Sequence, residues 1–281
     1  MSRRYLRARS LEEALNQLCV PGASIISGGT DLMVKIHSGT VNPDLIIDIS
    51  ELHELSGISD LGNRIEIGAA VTQTDILRSE AVREKLPLLA LVLQKLGSVQ
   101  TRNRGTLGGN LVNASPAADG AIPLLLLDAS LIISAGDSER ELPIADFFLG
   151  PGQTALRKGE LLRAISIPIP EGKPVSFFHK IGRRRALTIA IASLGGLYRL
   201  DGETAAKIRL AAGSVAPTPL RLTAVEEIVK GKRLTPELIE EAKRITAGSV
   251  SPIDDIRASA EYRRDVVCDL VADLLAGLSD A

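Results

Sequence analysis

The apolar and polar positions of this chain fall into a mixed strand and helix rhythm up to about residue 170 and a different texture beyond it. Leu11, Leu15 and Leu18 recur at helical spacing behind Ser10, with Glu12 and Glu13 in the first turn, which predicts an N-capped amphipathic helix ended by Pro21-Gly22. The run at 23–27 predicts a short buried strand. Residues 32–37 predict one or two helical turns before Gly39, and 45–49 a second strand introduced by Pro43-Asp44. Together these residues predict a small mixed α/β unit.

A second α/β unit follows. Residues 64–68 alternate like a half-exposed strand, and Thr72 or Thr74 can cap a short helix carrying Ile76 and Leu77. Residues 82–96 have the apolar spacing of one helix, whereas 97–119 are rich in glycine, asparagine and serine and predict a long loop. A structureless stretch of that length inside a compact domain points to function. Residues 122–127 predict a helix, 131–134 a strand, and 161–167 a buried strand stopped by Pro168 and Pro170. The polar Glu171-Gly172-Lys173-Pro174 reads as a linker. Beyond it, three strands (175–181, 189–200, 207–212) precede three helices (223–230, 236–247, 258–278), the order of an α+β module.

Composition narrows the function classes. The chain has 281 residues, 45% of them apolar and 24% charged, enough for two domains with substantial cores. Its 33 basic and 34 acidic residues give a net charge of −1, which offers no global field to recruit nucleic acid or an anionic membrane. The apolar stretch around Leu124 to Leu127 is too short to span a bilayer, which takes roughly 20 apolar residues. Ser2-Arg3-Arg4-Tyr5-Leu6-Arg7 superficially resembles a twin-arginine export signal, but Glu12, Glu13, Asn16 and Gln17 stand where an apolar region is needed, and a cytoplasmic location is expected. Cys19 and Cys268 lie at opposite ends of the sequence, so no disulfide framework and no iron–sulfur cluster set is expected within the chain. His37, His53 and His179 are too scattered for a metal site, and no catalytic side chain is expected. Arg183-Arg184-Arg185 reads as a solvated face, with docking of a partner or neutralisation of phosphate as the alternative.

The chemistry concentrates on two glycine pairs, each closing an apolar run. One lies in Ile25-Ile26-Ser27-Gly28-Gly29-Thr30-Asp31-Leu32 and the other in Thr106-Leu107-Gly108-Gly109-Asn110, which continues through Asn113 to Ser115-Pro116-Ala117-Ala118-Asp119. A diphosphate needs several backbone N–H groups at close range, and glycine permits positive φ and removes the Cβ that would block the approach. Neither pair is a G-x-G-x-x-G or Walker A loop. Hydroxyl and amide side chains beside them add phosphate donors, and Asp119 can accept from ribose hydroxyls.

These strings resemble the flavin-binding motifs of the FAD (medium) subunit of molybdenum hydroxylases, the family of xanthine dehydrogenase and aerobic carbon monoxide dehydrogenase. Further matches follow in order at Phe178-His179-Lys180-Ile181-Gly182-Arg183-Arg184, Ala212-Gly213-Ser214-Val215-Ala216-Pro217-Thr218-Pro219 and Asp255-Ile256-Arg257-Ala258-Ser259-Ala260-Glu261-Tyr262-Arg263-Arg264. The resemblance implies an α+β fold: a two-subdomain α/β FAD-binding domain of the PCMH type over 1–172, divided near 56, then a C-terminal domain over 173–281 with a three-stranded antiparallel sheet and a helical bundle. It implies that residues 25–32 and 106–110 wrap a diphosphate from two sides, that Asp119 meets the ribose or ribityl region, that Leu162 lies near the isoalloxazine ring and that Lys180 approaches the ring's polar edge. Leu96 stands where the similar xanthine dehydrogenases place an aromatic residue, which implies weaker stacking. The implied partners are an iron–sulfur small subunit and a molybdenum-cofactor large subunit, in a dimer of heterotrimers, with electrons passing to NAD, a quinone or oxygen. A nucleotide-binding sensing or assembly module and a free-standing flavin oxidase are the alternatives.

Overall fold

The structure is a computed structural model describing residues 3–184, 188–202 and 204–279, so Ser2 and Arg185 of the basic motifs above lie outside it. In chain order the elements begin with β1 (Arg4–Arg7), α1 (Leu11–Leu18), β2 (Ala23–Ile26), α2 (Leu32–His37), β3 (Leu45–Asp48), β4 (Ile58–Asp60) and β5 (Arg64–Gly68). Next come α3 (Gln73–Arg78), α4 (Glu80–Lys85), α5 (Pro87–Gln94), α6 (Val99–Arg102), α7 (Leu107–Val112) and α8 (Ala121–Leu126). The strands β6 (Ser130–Ala135), β7 (Ser138–Pro143), β8 (Phe148–Gly150), β9 (Gln153–Thr154) and β10 (Leu161–Pro168) follow. The chain continues with β11 (Val175–Ile181), β12 (Ala192–Asp201), β13 (Thr204–Gly213), β14 (Leu220–Arg221), α9 (Thr223–Val229), α10 (Pro236–Ser249) and α11 (Ala260–Ser279). Contacts divide these into two compact units.

The first unit comprises Met1–Lys85, Gly97–Ala114 and Asp128–Ile169. Its N-terminal part is a parallel sheet in the order β1-β3-β2. The central strand β3 is buried along its length, and Leu45 and Ile47 pack with Ala14 and Leu15 of α1. Ser10 caps α1 by accepting from the Glu13 N–H, as its sequence predicts. β2 is half-buried instead of buried because it is an edge strand, and β1 is an unforeseen addition: Arg4–Arg7 pairs with β3, and the Tyr5 hydroxyl donates to Asp48. The rest of the unit is built on a five-stranded antiparallel sheet, β4-β5-β10-β6-β7. Ile65 and Ile67 face Ile167 and Ile165 of β10, all four buried. A bulge between Leu162 and Ala164 leaves Arg163 out of register, where it pairs with Glu66 at 3.2 Å and Glu139 at 2.6 Å.

The second unit comprises Leu86–Leu96, Ser115–Leu127 and Pro170–Ala281. The three expected strands are antiparallel neighbours, joined by the two-residue β14 in the order β11-β12-β13-β14. The first six residues of β12 are buried on both faces. Ala192 and Leu194 join a core with Val267, Val271 and Leu275 of α11 and Val225 of α9, whereas Gly195 meets α8 so closely that a Cβ would stand 2.4 Å from Ile122 Cγ2.

Two expectations are corrected here. Residues 82–96 form α4 and α5 instead of one helix, because Pro87 has no N–H to continue the ladder and instead starts α5 at its first position. Residues 97–119 are not a structureless loop: they hold α6 and α7, each opened by a hydroxyl cap, from Ser98 to the Thr101 N–H and from Thr106 to the Gly109 N–H. Their glycines conceal the helical period. Among the described residues, no helix is long and apolar enough to cross a membrane.

Candidate functional site

The first unit brings both glycine pairs into one neighbourhood. Ile25 and Ile26 close β2, residues 27–31 form the turn, and Leu32 opens α2. Gly28 is glycine because the turn lies against another backbone: a Cβ there would stand 1.9 Å from the Arg104 carbonyl oxygen. Gly29 is glycine for conformation, with φ at 74°. The segment 104–107 is held in turn from the other side. Gln73 N–H donates to Gly105 O at 2.9 Å, Leu107 N–H donates to Val71 O at 3.3 Å, and Thr72 and Thr106 form an isolated antiparallel bridge.

Thr106 caps α7, its Oγ1 accepting from the Gly109 N–H at 3.0 Å. Gly108 packs the helix onto Ala69, whose oxygen and Cβ would each stand 2.6 Å from an added Cβ. Gly109 differs, since a Cβ there would meet only Thr106 Oγ1 within 4 Å. Of the two pairs, then, Gly29 serves the positive φ, Gly28 and Gly108 serve chain packing, and Gly109 alone would set an added Cβ against a single side-chain atom.

The polar groups of this neighbourhood are under-used. Among the described residues, no protein acceptor takes the N–H groups of Gly28, Gly29, Thr30 or Asp31, although the carbonyls of Gly29 and Asp31 accept from Met33 and Lys35. Ser27 Oγ and Asn110 Oδ1 are buried without a hydrogen-bond partner. Buried polar atoms in folded proteins are nearly always satisfied, so the two oxygens call for a partner, and with the free N–H groups of the half-buried Gly28 to Thr30 and the exposed Asp31 they fit a polar, hydrogen-bond-accepting and donating group such as the diphosphate and sugar of FAD. Asn113, at the C-cap of α7, donates from Nδ2 to Asp31 Oδ1 at 3.2 Å and accepts at Oδ1 from Lys35 Nζ at 2.6 Å. Leu162 lies in β10 opposite Ile133 and is buried.

The second unit holds Leu96, Ser115, Asp119 and Lys180. Ser115 shapes the turn before α8, accepting at Oγ from the Ala117 N–H at 3.2 Å and at its carbonyl from Ala118. Lys180 of β11 pairs with Asp119 Oδ2 at 2.6 Å, both side chains nearly inaccessible. Burial pushes the Asp119 carboxyl above its ordinary range, and the Lys180 ammonium opposes that shift. Asp119 Oδ1 stays buried and unpartnered, as does Ser214 Oγ. Lys180 Nζ also reaches Lys95 O at 3.4 Å, next to the half-buried Leu96, and Lys95 Nζ donates to Phe178 O at 2.8 Å.

Lys35, Gln73 and Gly105 are the neighbours that sequence reasoning missed. Lys35 was detectable from its position four residues after Asp31 on a predicted helix. Gln73 and Gly105 carried no local signal, because it is the fold that brings α3 to the turn before α7.

Residues 1–170 match the family model described as the FAD binding domain in molybdopterin dehydrogenase, and 177–278 match that of the CO dehydrogenase flavoprotein C-terminal domain. The chain is 36% identical to the glyceraldehyde dehydrogenase medium chain of Sulfolobus acidocaldarius over 264 residues, covering 94% of this chain and 93% of that one. It is 33% identical to a xanthine dehydrogenase FAD-binding subunit of Escherichia coli, covering 94% and 91%. Among solved structures, carbon monoxide dehydrogenase from Hydrogenophaga pseudoflava superposes with a TM-score of 0.93 at 29% identity, covering 97% of this chain and 96% of that one. Quinoline 2-oxidoreductase from Pseudomonas putida 86 superposes with a TM-score of 0.93 at 26% identity, covering 100% and 98%.

Proposed function

Because this chain belongs to the family of FAD-binding medium subunits of molybdenum hydroxylases, we propose that it receives electrons from the iron–sulfur clusters of a small subunit and delivers them to NAD, a quinone or oxygen. The partner large subunit carries the molybdenum cofactor and oxidises the substrate, in a dimer of heterotrimers located in the cytoplasm. The bounds of the two family matches support functional domains at 1–172 and 173–281.

FAD, when bound, supplies a ring that exchanges single electrons with a cluster and a pair with an acceptor. Everything else in the reading belongs to this chain's residues. The N–H groups from Gly28 to Asp31, with Ser27, Thr30 and the Thr106 to Asn110 segment, bind the diphosphate, while Ile25, Ile26 and Leu32 hold the turn. Asp119 accepts from the ribose or ribityl hydroxyls through its unpartnered Oδ1. Leu96 and Leu162 exclude water beside the ring, and Lys180 presents its ammonium to the ring's polar edge.

The observation that carries the reading is the run of four unpartnered N–H groups beside two buried, unsatisfied side-chain oxygens. The test is flavin content. Full-length protein is expected to be purified yellow or to take up FAD, with the colour bleached by dithionite. Gly109→Val is expected to lose the flavin while keeping its circular dichroism spectrum, since the new Cβ presses on a single side-chain atom, Thr106 Oγ1, and not on a neighbouring backbone. Colourless wild-type protein that takes up no FAD overturns the proposal.

A further inference from the structure

Asp31 sets an electrostatic problem within the proposed diphosphate site. Its N–H is one of the four unpartnered donors, yet its carboxylate places a negative charge on the same residue that is to receive an anion. An unscreened like charge a few ångströms from a phosphate costs on the order of 1 kcal/mol even in water and more beside a protein surface. The Asp31 carboxylate is not left alone, however. Asn113 holds it through Nδ2, and the same carboxamide accepts from the Lys35 ammonium at 2.6 Å through Oδ1.

The two contacts also fix which way the amide faces, since only its oxygen can accept from an ammonium and only its nitrogen can donate to a carboxylate. Asn113 is itself anchored, with its N–H donating to Gly109 O at 3.0 Å at the end of α7 and Ala114 beyond it in the left-handed region at φ 46°. Lys35 is anchored too, one turn into α2, its N–H donating to Asp31 O at 3.0 Å. The chain Lys35–Asn113–Asp31 therefore joins the first glycine turn to the helix that carries the second glycine pair.

We infer that Lys35 is a positioning residue for the diphosphate: through Asn113 it cancels the charge of Asp31 and holds the 27–31 turn to α7, so that the free N–H groups meet an anion in a neutral frame. This moves the side chains of Asp31 and Asn113 from direct contacts to the support of the cradle, while the Asp31 N–H stays among the donors, and it rests on the FAD reading above. Its consequence is selective for charge. A ligand carrying the diphosphate depends on Lys35, and riboflavin, which has no phosphate, does not.

The experiment titrates flavin-stripped full-length protein with FAD and with riboflavin, following flavin fluorescence at two salt concentrations. Lys35→Met is expected to weaken FAD binding by about tenfold or more, the scale of one lost charge-assisted interaction, and to leave riboflavin binding within about twofold. Lys35→Arg is expected to recover most of the FAD affinity. In an Asp31→Asn background the Lys35→Met penalty is expected to fall to about threefold or less, because the charge that Lys35 cancels is gone. Equal losses for FAD and riboflavin, an undiminished penalty in the Asp31→Asn background, or no loss at all would overturn the inference. If wild-type protein binds no FAD, the failure belongs to the functional reading instead. Thermal melting of each stripped variant separates misfolding from lost binding, and Lys35→Arg with the Asp31→Asn pair keeps the test open should Lys35→Met alone unfold.

Discussion

Four glycines in two neighbouring motifs look interchangeable in the sequence, yet the space around each Cα assigns them different work. A methyl at Gly28 would overlap the Arg104 carbonyl oxygen, which belongs to a backbone that cannot swing aside. Gly28→Ala is therefore expected to destabilise the fold by at least about 1–3 kcal/mol, the cost of overpacking, with a lowered Tm in flavin-free protein. Gly109→Ala meets only its own capping hydroxyl, so its Tm is expected to fall by much less while FAD retention drops. Equal Tm losses in the two variants would contradict this division. The buried pair Asp119 and Lys180 makes a sharper demand, because truncating Asp119 to alanine strands an ammonium that is almost inaccessible to water. Asp119→Ala is expected to cost about 3–5 kcal/mol in denaturant unfolding, and a joint Asp119→Ala, Lys180→Met change less than Asp119→Ala alone. The location of the candidate site was legible from residue types, since strand-ending glycines beside hydroxyl and amide side chains are a backbone-donor signature. The division of labour among the glycines was not, because it depends on Arg104 and Ala69, which only the fold brings close.

At the level of elements, the segment leading into α11 is braced by one carboxylate. Asp255 accepts from the N–H groups of Arg257 at 2.7 Å and Ala258 at 3.3 Å, from Arg257 Nη1 at 2.9 Å and from Arg263 Nη2 at 2.6 Å. Arg263, buried in the first turn of α11, carries the brace onward by donating to Ile191 O at 2.6 Å and Ser214 O at 3.3 Å. Partial burial pushes the Asp255 carboxyl up, but these donors outweigh it and hold the group at about 2, below its ordinary 3.8. A depressed folded value means stability that is fully present above the unfolded value and lost as pH falls through the folded one. The stability gap between wild type and Asp255→Asn is thus expected to be constant above about pH 5 and to shrink by about 1–2 kcal/mol as the pH falls from there to about 2, measured by urea unfolding at each pH. A gap that does not change with acid would exclude the brace. Elements whose apolar period is long and capped, such as α1, α10 and the strands β10 to β13, were readable in the sequence. Those missed were short or exposed: half of the residues of β1 and of β7 are charged, β4 has three residues, and α6 and α7 are stabilised by caps and neighbours instead of an apolar stripe.

For the whole molecule, the groups that this chain can and cannot ligate decide which part of the electron path it can hold. An iron–sulfur cluster takes about four cysteine thiolates. The chain has two, an exposed Cys19 in the first unit and a buried Cys268 on α11, whose thiol burial pushes above its ordinary range and so away from the thiolate form. The chain therefore has no cysteine set of its own for a single-electron relay, and in the proposed function that relay enters on a partner. Flavin-loaded protein by itself is expected to be bleached by dithionite, to retain no stoichiometric iron, and to remain oxidised when offered a hydroxylation substrate until the small and large subunits are added. Replacing both cysteines by alanine is expected to leave the partner-driven rate of bleaching within about twofold of wild type, with only the stability loss of a shortened side chain at position 268, about 1–2 kcal/mol. Stopped-flow absorbance on the reassembled complex makes that comparison. A rate that collapses in the double variant with flavin content intact would place a cysteine of this chain on the electron path. It would also break the proposed separation of roles, in which the molybdenum and iron–sulfur chemistry stays with the partners and this chain supplies the flavin's diphosphate cradle and ring environment.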